Sequence, residues 1–334
     1  MSELNIPTNR PIDAICLGRA GVDLYAHEAN TDMADVSGFA KYVGGASANI
    51  AVALAKLGAK PGLISCVSDD GLGRYVCSYL DRMGVDLQGI KVDSSGSRTS
   101  LAITEMKPSC CEVVIYRNNA ADLTLKGSQI DPDYIAAAKV LIVTGTALSA
   151  SPSREATLLA IDYARGAGTL VILDLDYRAY SWNSPEDSAL YYQLAASRSD
   201  IVLGNREEFD VVEYLVDRGN RDDDKTAVRY LQGATQVLII KAGELGCKIY
   251  RRNGECFAHG IFPVTSKKPF GAGDSFIAAL VYALLYGHGL HKGVTMGSAA
   301  AAINVPATVV PRRRRLSQSS QRFSPSEKCP SENR

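Results

Sequence analysis

Short, β-branched apolar runs separated by helical patterns constrain this chain more than any other feature. They fall at residues 12–17 (IDAICL), 62–67 (GLISCV), 139–144 (KVLIVT), 169–174 (TLVILD), 200–203 (DIVL) and 236–241 (QVLIIK). Strands apolar at every position must be covered on both faces, and the intervening helices supply that cover. The pattern therefore predicts an α/β fold with a mostly parallel sheet between two helical layers. With 334 residues, the chain can hold one large domain or a main domain with a smaller attachment. Residues 85–117 read differently. The runs 99–106 (TSLAITEM) and 111–116 (CEVVIY) have no long helix between them and look like antiparallel strands. With part of 24–43 they are expected to form a small sheet, either a lid over a cleft or an extension of the main sheet.

Charge excludes some classes of partner. The chain has 36 basic and 36 acidic side chains, so no global field favours nucleic acid or an anionic membrane. The run Arg312–Arg315 lies in a Ser-, Pro- and Gln-rich end, and residues 305–334 are expected to form an atypical basic, disordered tail. No run approaches the ~18 apolar residues of a membrane span, and no basic stretch followed by an apolar one opens the chain, so a cytoplasmic protein is expected. The 8 cysteines form no C-x-x-C pair and several sit in apolar runs, which suits a reducing compartment. With 4 histidines and no H-E-x-x-H, a zinc site has little support.

Two glycine clusters precede amphipathic helices. In KKPFGAGDSF (267–276), Gly271 and Gly273 permit close backbone approach, and the free N–H groups of a helix start, Ala272 among them, can receive an anion. Asp274 is short and rigidly placed, as a general base taking a hydroxyl proton must be, although it could equally serve only to cap the helix. In Gly44-Gly45-Ala46-Ser47-Ala48-Asn49, Gly45 lets a polar ligand approach and Asn49 offers both a donor and an acceptor, while the alanines could equally permit tight helix packing. Asp23 and Arg178 each follow a strand, where ligands of parallel sheets bind. A carboxylate there can accept hydroxyl protons, and a guanidinium can fork onto a carboxylate, but surface ion pairs would explain both residues as well. Asn205 and Glu208 could organise water and Mg²⁺ near polyphosphate, or form a plain capping box. Lys241, Gly243 and Gly246 sit in a loop that can approach a nucleotide or simply make a tight turn.

No G-x-x-x-x-G-K-[ST] occurs, and Gly18-x-x-Gly21 lacks the order of a dinucleotide loop, so any phosphoryl transfer must use another design. GGASANIAVALAKLG at 44–58 and KPFGAGDSFIAAL at 268–280, in that order and with NREE (205–208) and IKAGELG (240–246) between them, resemble the two signatures of the ribokinase-like, or PfkB, carbohydrate kinases over residues 12–304. The resemblance implies a three-layer α/β/α domain with a small β-sheet lid, ATP and Mg²⁺ as cofactors, and a small sugar as acceptor. It also implies a homodimer through the lid or a higher assembly. It makes Asp274 the base and Gly271, Ala272 and Gly273 an anion hole. Asp23, Gly45 and Asn49 would hold sugar hydroxyls, Asn205 and Glu208 would organise Mg²⁺ through water, and Lys241, Gly243 and Gly246 would lie on the nucleotide side.

Within the family, GRAGVDLYA (18–26), YRNNAADL (116–123) and DLDYR (174–178) carry a narrower likeness to members acting on keto-deoxy sugar acids. It implies transfer to the 6-hydroxyl of 5-dehydro-2-deoxy-D-gluconate in myo-inositol catabolism. 2-Keto-3-deoxygluconate, or another sugar of the family, is the alternative acceptor. Arg117 and Arg178 would suit the carboxylate of either acid. Composition changes abruptly after Asn304, which reads as a diverged or frame-shifted terminus and leaves open a catalytically impaired, sugar-acid-binding regulator.

Overall fold

Every apolar run named above becomes a strand. The computed structural model describes residues 4–107, 111–264 and 271–304. In chain order its strands are β1 (Ile12–Leu17), β2 (Gly21–Ala29), β3 (Phe39–Gly44), β4 (Pro61–Ser68), β5 (Ile90–Asp93), β6 (Leu101–Met106), β7 (Val113–Tyr116), β8 (Ala138–Thr144), β9 (Leu170–Asp174), β10 (Ile201–Asn205), β11 (Val237–Lys241), β12 (Cys247–Arg251) and β13 (Cys256–His259). The helices are α1 (Ala46–Lys56), α2 (Gly71–Arg82), α3 (Pro132–Ala136), α4 (Ser153–Gly166), α5 (Pro185–Ala196), α6 (Arg206–Val212), α7 (Asp223–Leu231), α8 (Ala272–Leu285) and α9 (Gly289–Asn304).

The main sheet has the order β13-β12-β11-β10-β9-β8-β1-β4-β5. It is parallel except at the β11–β12 and β12–β13 pairs. Alternation along each strand divides the apolar residues between two cores. Ala14, Cys16, Val140, Ile142 and Ile172 pack with α1, α2 and α8 on one face. Ile15, Leu17, Leu141, Val143 and Leu173 pack with α3, α4 and α5 on the other. Each fully buried Val, Leu or Ile contributes about 1.5–3 kcal/mol, so the two faces together stabilise the three-layer arrangement.

A second sheet has the order β3-β2-β6-β7. The 85–117 region thus divides. β5 pairs with β4 in the main sheet, whereas β6 and β7 join β2 and β3 in the small one. The expected small sheet and the expected edge extension both occur, in different parts of one segment. The small sheet is also not wholly antiparallel, because β2 and β6 run parallel. A hairpin period cannot reveal that pairing, which joins strands separated by β3, α1, β4, α2 and β5. The basic tail at 305–334 lies outside the described residues. Among the described residues, no helix is long and apolar enough to cross a membrane.

Candidate active site

The parallel strands end on one rim, and the polar residues of interest gather there. Thr144, Asp174, Asn205 and Lys241 are the last residues of β8, β9, β10 and β11. Strand register aligns Thr144 with Asp174, and Asn205 with Lys241. The two glycine-led helices start over the same rim. Gly45 precedes α1 with φ 101°, and a Cβ there would collide with the Arg19 carbonyl oxygen. Gly271 precedes α8 in the left-handed region at φ 72°, a turn glycine makes without steric cost. The first hydrogen bond of that helix runs from the Ser275 N–H to the Gly271 carbonyl. The N–H groups of Ala272, Gly273 and Asp274 therefore have no partner within the helix and form an anion-receptive start.

Asp274 lies in the first turn of α8 rather than at its cap. Its carboxylate accepts a 2.8 Å hydrogen bond from Asn49 Nδ2 in the first turn of α1. The side chain thus bridges the two signatures. Burial pushes its pKa up to about 6, Asn49 works the other way, Asp174 adds to the rise, and Lys241 and Arg178 oppose it. A carboxyl poised near neutrality at a helix start can accept a proton from a hydroxyl beside an anion cradle.

Around it lies an acidic cluster with two cations. Lys241 Nζ sits 3.3 Å from Asp174 Oδ1, and Arg178 Nη2 sits 2.6 Å from Asp176 Oδ1. An ideal Cβ on Gly273 would lie 3.8 Å from Lys241 Nζ, so this ammonium stands beside the cradle. Burial works against the Lys241 charge, but Asp174 and Glu208 outweigh it and raise the pKa. Burial raises both Asp176 and Glu208, whose carboxyls also feel Asp174 as a like charge.

Asn205 and Glu208 form a reciprocal capping box at the start of α6. Glu208 Oε2 accepts from the Asn205 N–H at 2.7 Å, and Oε1 accepts from the Tyr177 N–H at 3.2 Å. The capping geometry and a polyphosphate role are compatible, because each oxygen keeps a lone pair for a water. Among the described residues no group of three or more His, Cys, Asp and Glu is arranged to hold a metal ion directly. The free lone pairs of the Glu208 oxygens would suit the waters of a hydrated Mg²⁺.

Asp23, on β2 of the small sheet, is placed beside α1 by the pairing of β2 with β3. It meets Arg19 Nη2 at 3.3 Å, and Arg19 Nε donates to Ser100 Oγ at 2.8 Å. Burial raises the Asp23 pKa while Arg19 opposes the rise. Arg117 is buried and already engaged: Nε and Nη2 donate to Asp122 Oδ2 at 2.9 and 2.6 Å, and Nη2 also reaches the Thr146 carbonyl at 3.0 Å. Arg178, half-exposed, has more capacity for a ligand. On the far side, Gly243–Leu245 makes one tight turn that leaves Leu245 exposed, and Gly246 takes φ 87°. Lys241 points away from that turn, toward Asp174. Lys268, Pro269 and Phe270 of the second signature lie outside the described residues.

Three charged residues of this site stand inside quoted motifs but were assigned no role from sequence: Arg19 in GRAGVDLYA, and Asp174 and Asp176 in DLDYR. The available signal was position, since Asp174 ends a buried strand and Asp176 follows two residues later, at the carboxyl end where ligands bind.

Comparison with known proteins agrees with this geometry. The pfkB family carbohydrate kinase model matches residues 12–308. A 5-dehydro-2-deoxygluconokinase of Photobacterium profundum is 60% identical over 305 residues, covering 91% of this chain and 92% of its own. The crystal structure of a PfkB protein from Polaromonas superposes with a TM-score of 0.80 at 26% identity, covering 89% of this chain and 96% of that one. A Pyrococcus horikoshii sugar kinase solved in complex with ATP gives a TM-score of 0.76 at 26% identity, covering 89% and 93%. The two glycine-led helix starts, joined by Asn49 and Asp274 over the strand ends of an α/β sheet with a small second sheet, are those of a chain that belongs to the pfkB family of carbohydrate kinases.

Proposed function

We propose that this kinase transfers the terminal phosphoryl group of MgATP to the 6-hydroxyl of 5-dehydro-2-deoxy-D-gluconate, releasing ADP and the 6-phosphate in myo-inositol catabolism. The observation that carries the acceptor is the 60% identity, over nine-tenths of both chains, to the Photobacterium kinase of that name. The chemistry follows from this chain's own residues. Asn49 holds the Asp274 carboxylate at 2.8 Å, so the base is aimed before the substrate arrives. Asp274 takes the hydroxyl proton as the oxygen attacks phosphorus in line. The backbone N–H groups at Gly271, Ala272 and Gly273 stabilise charge on the equatorial oxygens. Asp23, Gly45 and Asn49 bind the sugar hydroxyls.

Arg178 receives the substrate carboxylate. Arg117, committed to Asp122, supports the loop around it and can reach the substrate only by sharing its donors. Asn205 and Glu208 hold the water shell of Mg²⁺, which neutralises polyphosphate charge when bound. Lys241, Gly243 and Gly246 lie on the nucleotide side, with the Lys241 ammonium next to the transferring group. The open edge strands of the small sheet, with Tyr116 58% exposed on β7, support pairing of two copies through the lid. Use of ATP and the free thiols of Cys16, Cys66, Cys77, Cys247 and Cys256 support a cytoplasmic setting.

Product structure tests this reading. Phosphorus–proton correlation in the NMR spectrum of the product should couple the phosphate to the terminal methylene. Coupling to a secondary ring or chain proton would overturn the 6-hydroxyl assignment.

A further inference from the structure

The Asp176–Arg178 pair is unusual on three counts. Asp176 sits at φ 37°, a left-handed conformation uncommon for a residue with a Cβ. Its carboxylate is only 9% exposed, while its partner Arg178 is 48% exposed. And it is buried within electrostatic range of Asp174, Glu208 and Asp274, all of like charge. Among the described residues the cluster has two cations, of which Lys241 is bonded to Asp174 and Arg178 to Asp176.

Such a carboxylate costs folding energy; beside a long 3.5 Å hydrogen bond from Thr146 Oγ1, its short contact is to a guanidinium rather than to a piece of the core. Arg178 is held at two points. Nη2 meets Asp176 at 2.6 Å, and Nη1 donates to the Tyr177 carbonyl at 2.9 Å. The remaining N–H groups belong to a half-exposed group whose plane and position are already set. A guanidinium fixed in this way forks onto a planar carboxylate with less loss of side-chain entropy than a free one.

We propose that Asp176 is a positioning residue for substrate selection: its buried carboxylate, on a left-handed turn after β9, aims Arg178 at the carboxylate of the sugar acid. The inference rests on the functional reading above and adds a residue that acts through Arg178 without touching the substrate. It separates selection of an acid from the chemistry at Asp274. The Asp176 contact shapes affinity for the charged end of the acceptor, whereas Asn49 and the glycine turn shape transfer at the other end.

Asp176→Asn is the informative variant, because asparagine tolerates the left-handed turn and keeps the side chain's shape while removing its charge. Steady-state kinetics would be run on wild type and variant with 5-dehydro-2-deoxy-D-gluconate and with fructose, which has no carboxylate, varying MgATP separately. The variant should raise KM for the sugar acid about tenfold, with most of the loss in KM rather than kcat, and leave KM for MgATP unchanged. Its preference for the acid over fructose should fall by the same factor, a change that general loosening of the fold would not produce.

Equal losses on both acceptors, or a rise confined to KM for MgATP, would overturn the proposal and assign the pair to the fold or to phosphate. Unchanged kinetics in a variant of a wild type that prefers the acid would refute the inference alone. A wild type that does not prefer the acid would refute the functional reading and the inference together.

Discussion

Asp274 carries the tension of the site. A base at this position must be ionised to act, yet its surroundings hold its pKa at about 6. The kcat/KM profile should therefore fall as the pH drops through about 6, because the protonated carboxyl cannot accept the hydroxyl proton. Asn49→Ala removes the hydrogen bond that favours the ionised form, so the acidic limb should move to higher pH in that variant. A limb that stays in place or moves down would show that another group sets it. Asp274→Asn should lower kcat by about 10²–10⁴ while calorimetry still detects sugar-acid binding. Stability should move in the opposite direction. A raised folded-state pKa means that the stability contributed by this carboxyl is full below the ordinary carboxylate range and is lost as pH rises through about 6. At pH 7.5 the asparagine variant should melt higher, by roughly 2–4 °C for each ~1 kcal/mol of relieved burial cost. A lower melting temperature would mean that Asp274 holds the helix together rather than straining it. Asp274 and Asn49 were legible individually in the sequence as glycine-flanked polar residues, but their contact spans 225 positions and no local pattern announces it. The role proposed for Asp176 was harder to read for a related reason, since it depends on a backbone angle and on charges carried by β9, α6 and α8.

At the scale of elements, α6 positions Asn205 and Glu208 and is itself held by a buried ionic network. Glu213, 1% exposed, accepts from Arg206 Nη2 at 2.9 Å, Asn220 Nδ2 at 3.0 Å and Thr226 Oγ1 at 3.0 Å, and pairs with Arg229 of α7. Removing one member of such a network leaves the opposite charges buried and unpaired, so Glu213→Ala should destabilise the fold by about 3–5 kcal/mol in urea titration. A loss below about 1 kcal/mol would show that water reaches the site and replaces the carboxylate. The six central strands β1, β4 and β8 to β11 were legible to within a residue or two, because runs apolar on both faces admit few other arrangements, whereas the edge strands β5, β12 and β13 were not read as strands. The α1 and α8 helices were legible from their periodicity, and Gly58, just past the end of α1, takes a positive φ that glycine adopts without steric cost. The small sheet was only half legible. Its strands show in the 99–106 and 111–116 runs, but whether 85–93 joins it or the main sheet depends on a parallel pairing to β4, which leaves no mark on β5 itself. The capping box at Asn205 shows the other limit of motif reading, since one spacing fits both a helix N-cap, which the structure has, and the proposed polyphosphate role.

Across the whole molecule, two sheets and two glycine-led helices converge on a single rim. Asp23, proposed to meet the sugar, comes from the small sheet, Asp274 and Asn49 from the helix starts, and Asp174, Asn205 and Lys241 from the ends of the large sheet. Closure of the small sheet over the rim would exclude water from a reaction in which water is a competing acceptor. The direct measurement is ADP release by the purified chain supplied with MgATP and, in turn, 5-dehydro-2-deoxy-D-gluconate, 2-keto-3-deoxygluconate, fructose, ribose and adenosine, with Asp274→Asn as the control. Turnover fastest by kcat/KM on the first acceptor and lost in the Asp274→Asn variant is the predicted result; a higher kcat/KM on any of the others, or no turnover by folded protein that still binds the sugar acid, would contradict the account.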